Sequence, residues 1–262
     1  MSSHPPSIRA RALGAELRRK REQAGYSGMD LARRTGWSHS KISRLESGDR
    51  GTTVADIAYL LGFFGCSDAE TARLLDLLRD APEGVWACPR PRTPPAHEAS
   101  AIQAYAPLLV PPLLRTEAYT EALGHPPAAS SPLHRAYPPT AHFHLDEAAL
   151  HRRVGTPETM HDQLLHLVFA SNWPHVAIRV IPLSAGAHAG LSGEFSLLRY
   201  GQDRPVVHLP QETQDLYLES APDIATYRNI LAELDHIALS PTDTRTLLTT
   251  LAATTATTAT AA

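Results

Sequence analysis

Residues 27–48 read SGMDLARRTGWSHSKISRLESG, and this run decides the organisation of the first third of the chain. Ser27 is a residue that caps helices, Met29, Leu31 and Ala32 supply an inward face, and Gly36 ends the segment after Thr35. Ser38 offers a second cap, Ile42 and Leu45 point inward from His39–Ser47, and Gly48 closes that segment. The spacing predicts two short helices joined by a tight glycine turn. Upstream, Ile8, Ala12, Ala15 and Leu17 share 8–23 with Arg18, Arg19, Lys20 and Arg21, as in an amphipathic helix with a basic end, and Gly25 stops it. Downstream, Thr52 or Thr53 opens a helix with Val54, Ile57, Ala58, Leu60 and Leu61 inward. Ser67 or Asp68 opens another, running through Leu74, Leu75 and Leu78. The expectation is a five-helix domain over residues 8–80.

The stretch 82–97, PEGVWACPRPRTPPAH, holds five prolines, which remove backbone donors and disfavour helix at the preceding residue, so a linker is expected over 81–97. Beyond it, 146–154, 157–171, 222–238 and 241–252 read as helices. The segments 176–181, 194–200 and 205–209, rich in β-branched and aromatic residues between Gly and Pro, read as strands. Residues 126–139 are Pro-rich and read as an exposed loop. The fold class expected is therefore an α-helical domain followed by a mixed α/β (α+β) domain over 98–252. The Ala/Thr tail, 253–262, has nothing large to bury and is expected to be disordered.

Apolar residues make up 43% and charged residues 19% of the 262, enough to bury a core. The net charge of -3 hides an asymmetry: residues 1–50 hold 11 Arg or Lys against 5 Asp or Glu, leaving 13 against 22 in the rest. That is +6 at one end and -9 in the body, which suggests an anion-facing N-terminal domain. Cys66 and Cys88 are the only cysteines and lie in unrelated contexts, consistent with a reduced, cytoplasmic protein. No apolar stretch reads as a signal peptide or a membrane span, so no membrane partner is expected.

A first helix set against a phosphate backbone, a glycine turn, and a second helix entering the major groove give the 27–48 run a physical logic as a DNA-binding helix-turn-helix. Side chains near the start of the second helix reach base edges, so His39, Ser40, Lys41 and Arg44 are the candidate base contacts, with Arg44 first for guanine. Arg18, Arg19, Lys20, Ser38 and Arg50 are the candidate phosphate contacts, setting affinity and its salt dependence. The partner expected is double-stranded DNA carrying an operator, read by a homodimer on paired half-sites.

Through LRRKREQAGYS (17–27), LARRTGWSHSKISRLESG (31–48) and TVADIAYLLGFFG (53–65), the N-terminal domain resembles the Xre/Cro family of helix-turn-helix repressors. The resemblance implies a structural ion pair between Arg21 and Glu46. One departure is Gly28, which stands where many relatives carry a polar phosphate-contacting side chain, typically glutamine. The pieces VPPLLRTEAYTEAL, FHLDEAALHRRVGTPETMHDQLLHLV, VAIRVIPLSAGAHAGLSGEFSLLRYG and ALSPTDTRTLL resemble the Scr1-like antitoxin (DUF5753-type) domain that follows such modules in actinobacterial regulators. That resemblance implies a small protein partner encoded nearby, or a small ligand. Relatives carry an arginine-rich segment before the DEAAL helix, whereas here that region is the Pro-rich 126–139.

The loop SAGAHAGLSGEF, with Gly186, Gly190 and Gly193, lies between two expected strands, and His188, Glu194, Phe195 and Tyr200 are its candidate ligand or partner residues. A plain hairpin loop is the alternative. Among the 14 histidines no spacing supplies a third metal ligand, GLSGE is not a nucleophile elbow, and neither a Walker A loop nor a GxGxxG run is present. No metal, cofactor or catalytic residue is expected. The reading is a transcriptional regulator, with an antitoxin-like interaction protein and an enzyme on a borrowed regulator fold as alternatives.

Overall fold

The computed structural model describes residues 8–48, 53–75, 85–89, 98–126, 131–201 and 205–260. The chain divides into two units, residues 1–87 with 217–220, and the remainder. In the first, five helices follow one another: α1 (Ile8–Gln23), α2 (Gly28–Thr35), α3 (His39–Ser47), α4 (Val54–Phe63) and α5 (Asp68–Leu75). Leu78 lies outside the described residues.

The caps are local chemistry. Ser27 and Asp30 form a reciprocal capping box on α2, and Ser38 and Thr53 each accept the backbone N–H three residues on, at the starts of α3 and α4. Gly36 and Gly48 close α2 and α3 in the left-handed conformation. Leu13, Leu17, Leu31, Ile42, Leu45, Ile57, Leu60, Leu61 and Leu74 form the core. Two residues expected inward are not. Met29 is 63% exposed and Val54 57% exposed, because both sit in the first turn of their helices, which starts outside the core. Helices α1 and α3 touch at backbone distance: a Cβ on Gly14 would strike the Glu46 carbonyl, so only glycine fits there.

The second unit is built on β2 (Ala101–Ala106), β3 (Thr140–Asp146), β4 (Val176–Ile181), β5 (Phe195–Arg199) and β6 (Val206–Pro210), and β1 (Val85–Pro89) and β7 (Gln214–Leu218) straddle the bounds of the two units. The strand order is β1-β7-β6-β5-β2-β3-β4. Strands β2, β3 and β4 are parallel, β2 pairs antiparallel with β5, and β5 with β6. The crossover from β2 to β3 carries α6 (Glu117–Ala122), and that from β3 to β4 carries α7 (Glu147–His151) and α8 (Pro157–Ala170). The chain ends in α9 (Ala221–Ile237) and α10 (Pro241–Thr260).

Register identifies what covers each face. Phe195, Tyr105, His144 and Arg179 are direct partners across four strands and so point the same way. Phe195 packs edge-on against Tyr227 of α9, while His144 and Arg179 both reach Asp235 of the same helix. Helix α9 therefore lies over this row. The alternate residues Phe143, Leu145, Ile178 and Val180 are buried, and α8 and α10 pack together against β4.

Two expectations change. Val85–Pro89, inside the stretch read as linker, is a strand, as its Val-Trp pair favours. The tail read as disordered is helical as far as Thr260. Alanine has the highest helix propensity, and Thr250, Thr254 and Thr255 donate their hydroxyls to carbonyls one turn back, so the segment continues α10 without burying anything large.

Candidate nucleic-acid interface

Helix α3 presents one exposed strip: His39, Ser40, Ser43, Arg44 and Ser47, at spacings of three to five residues. Its opposite side, Ile42 and Leu45, is buried. Nothing acidic lies on the strip. Arg44 is exposed, and its Nε lies 3.4 Å from the Ser40 carbonyl. His39 stands beside α2 at Gly28, where a Cβ would come within 3.2 Å of its Nε2. The space that a larger residue at 28 would fill is thus taken up by the imidazole.

Lys41, expected on the same surface, is turned away from it. Its Nζ donates to Asp56 Oδ1 at 2.6 Å and lies 3.9 Å above the centre of the Trp37 ring, which itself packs 5.3 Å from Tyr59. The hydrogen bond from Lys41 holds the Asp56 carboxyl below the usual carboxylate range. Ser38 is exposed and its Oγ accepts the Lys41 N–H at 3.1 Å, the capping role.

Of the α1 cations, Arg18 and Arg19 are exposed and pair along the helix with Glu22 at 3.1 Å and Glu16 at 2.6 Å. Such exposed pairs contribute little and leave both guanidinium groups able to turn outward. Lys20 differs: its Nζ is 2.6 Å from Glu70 and its side chain is 18% exposed, tying α1 to α5. Arg50 lies outside the described residues. Arg21 and Glu46 meet in a two-pronged bond, Nε to Oε1 at 2.6 Å and Nη2 to Oε2 at 3.1 Å, and Arg21 Nη1 also donates to the Tyr26 carbonyl at 2.7 Å. The Glu46 hydrogen bond raises the Arg21 pKa above its ordinary value. This pair braces α3 on α1, beside a 340 Å³ cleft lined by Arg18, Arg21, Gly28, His39, Ser43 and Glu46 among others.

Ser43 and Ser47 belong to the strip although neither was among the candidate base contacts; Ser43 lies one turn beyond His39 and Ser47 one turn beyond Ser43, which is the helical period. The partners of Lys20 and Lys41, which direct both lysines away from the strip, lie 50 and 15 residues away and leave no local signal.

In the second unit, the loop residues are mostly spoken for. Phe195 and Tyr200 are buried, which removes them from any contact surface, and Glu194 is half-buried. His188 accepts the Gly190 N–H on Nδ1 at 3.2 Å, so its Nε2 carries the proton and donates to Asp146 Oδ2 at 3.2 Å. The Tyr105 hydroxyl donates to the same oxygen at 3.3 Å, and Asp146 Oδ1 accepts the Ala148 N–H. Burial and the Asp146 charge push the Tyr105 phenol far above its usual range. Gly190 packs so close to the Tyr105 ring that a Cβ would come within 2.8 Å of it. The loop is a strap fastened to the carboxyl ends of β2 and β3.

Comparison with known proteins agrees with this division. A helix-turn-helix domain matches residues 12–74. The N-terminal unit is thus a helix-turn-helix domain, a fold that binds DNA. A domain of unknown function, DUF5753, matches residues 96–250, and the chain belongs to that family. No curated protein matches the chain. Among solved structures, the clp gene regulator ClgR from C. glutamicum is similar at 28% identity, over 28% of this chain and 92% of that one, with a TM-score of 0.24.

Proposed function

We propose that the protein is a sequence-specific, DNA-binding transcriptional regulator of the cytoplasm, acting as a homodimer. The observation that carries this reading is the acid-free strip on α3, borne on a helix that is capped at both ends and braced by Arg21–Glu46. In it Arg44 is the principal base contact, with His39, Ser40, Ser43 and Ser47 beside it, and Arg18 and Arg19 set against phosphates. The C-terminal domain senses a small protein partner or ligand.

Binding to the chain's own upstream region, compared for wild type and Arg44→Ala across a salt series, tests the proposal. Loss of about 1–3 kcal/mol of sequence discrimination in Arg44→Ala is expected. Equal affinity of both for operator and random duplex would sink it.

A second reading, an antitoxin-like protein whose main task is to hold a partner, has one observation in its favour. Leu108, Leu183 and Leu191 are 53%, 60% and 55% exposed. They lie on the loops leaving β2 and β4 and on the strap tied to Asp146, so they gather at the carboxyl end of the parallel strands. The proposal assigns no catalysis: among the described residues the hydrogen-bond partners of the His188–Asp146 pair are Gly190, Tyr105 and Ala148, and these bonds fasten the strap.

A further inference from the structure

We infer that Asp56 withholds Lys41 from DNA, so that the α3 surface meets the duplex with Arg44 as its one permanent cation, and that Asp56 is thereby a specificity-determining positioning residue. The inference rests on the DNA-binding reading above and deepens it.

A lysine two residues into α3 has a stem long enough to swing from the flank of the helix to a phosphate. A point charge placed there strengthens binding to every sequence alike, because phosphate contacts carry no sequence information. Discrimination then shrinks, since it is the ratio of specific to non-specific binding.

The geometry prevents this from two sides. The ammonium is 2.6 Å from Asp56 Oδ1 and 3.9 Å above the Trp37 ring, so it sits between a carboxylate and an aromatic face. Asp56 is itself held in place, since it lies in the first turn of α4 and its N–H donates to Thr53 Oγ1 at 3.1 Å. Trp37 is backed by Tyr59. Three elements, the α2–α3 turn, α3 and α4, converge on one ammonium that the exposed strip does not use.

The test is the salt dependence of binding by the full chain, read by fluorescence anisotropy on a random-sequence duplex and on a duplex from the chain's own upstream region. Each phosphate contact contributes about -0.9 to the slope of log K against log salt. Lys41→Gln is expected to keep the wild-type slope on random duplex. Asp56→Asn is expected to steepen it by about 0.9, to tighten random-duplex binding roughly tenfold at 0.1 M salt, and to narrow the specific to non-specific ratio correspondingly. Lys41→Gln/Asp56→Asn is expected to return to the wild-type slope, which a merely structural role for Asp56 does not produce.

A flattening by about 0.9 in Lys41→Gln overturns the inference, because Lys41 is then already on a phosphate. So does an unchanged slope in a folded Asp56→Asn. If Asp56→Asn does not fold, the Lys41→Gln slope decides alone. Absence of wild-type binding to either duplex at low salt overturns the DNA-binding reading itself, whereas the slope outcomes leave that reading standing.

Discussion

Arg21 and Glu46 show how one ion pair is made worth keeping. Their side chains are 9% and 15% exposed, so the charges are largely out of water, and the cost is offset only because both carboxylate oxygens are engaged and a third bond goes to the Tyr26 carbonyl. Glu46→Ala leaves the buried guanidinium with only the Tyr26 carbonyl and the exposed Glu22 carboxylate, 3.4 Å away, and the N-terminal domain is expected to lose about 3 kcal/mol, read as a shift of its urea midpoint. His144 poses the opposite problem. Its Nε2 meets Asp235 at 2.9 Å, its Nδ1 is buried with no hydrogen-bond partner among the described residues, and burial lowers its pKa below the ordinary 6.5 despite the Asp235 contact. Arg179 and His142 face it as well and push the same way. The folded state refuses a proton that the unfolded chain accepts, so stability is complete above pH 6.5 and falls as pH drops toward the lowered native value. A pH series of thermal melts is expected to show this decline, and His144→Asn to flatten it.

At the scale of elements, α1 and α3 are held at a separation that only glycine permits. Gly14→Ala is expected to force them apart and to weaken DNA binding together with thermal stability, while Gly62→Ala, where no atom lies within 4 Å of the added Cβ, does neither. Melting and binding measured on the two variants check this. The helices were legible because their ends are written locally, as Ser27, Ser38, Thr53, Gly36 and Gly48 each act within a few residues. Strand β2 was not legible. Its AIQAYA is rich in alanine, a poor strand former, and it becomes a central strand only through β3 and β5, which begin 39 and 94 residues after it does. The candidate site divides the same way: the period of α3 places Arg44 outside, but the capture of Lys41 by Asp56 is tertiary and no spacing announces it.

At the scale of the molecule, a basic N-terminal end is joined to an acidic body, so the attraction for phosphates is expected to come from the N-terminal end alone. On a duplex carrying two half-sites one helical turn apart, sedimentation is expected to give two chains per duplex. One chain per duplex at saturation would remove the homodimer from the proposal. Among the described residues no helix is long and apolar enough to cross a membrane.

Strand β4 ends the sheet, and such an edge invites another chain to add a strand. Here the invitation is withdrawn. The Val180 N–H goes to Thr244 Oγ1 and the Val180 carbonyl to the Leu239 N–H, while Arg179 binds the carbonyls of Ala238 and Leu239. The link between α9 and α10 is therefore laced along the main chain where a visitor would pair. A strand added on that side would find both main-chain groups of Val180 already engaged, so β-augmentation cannot run through that residue.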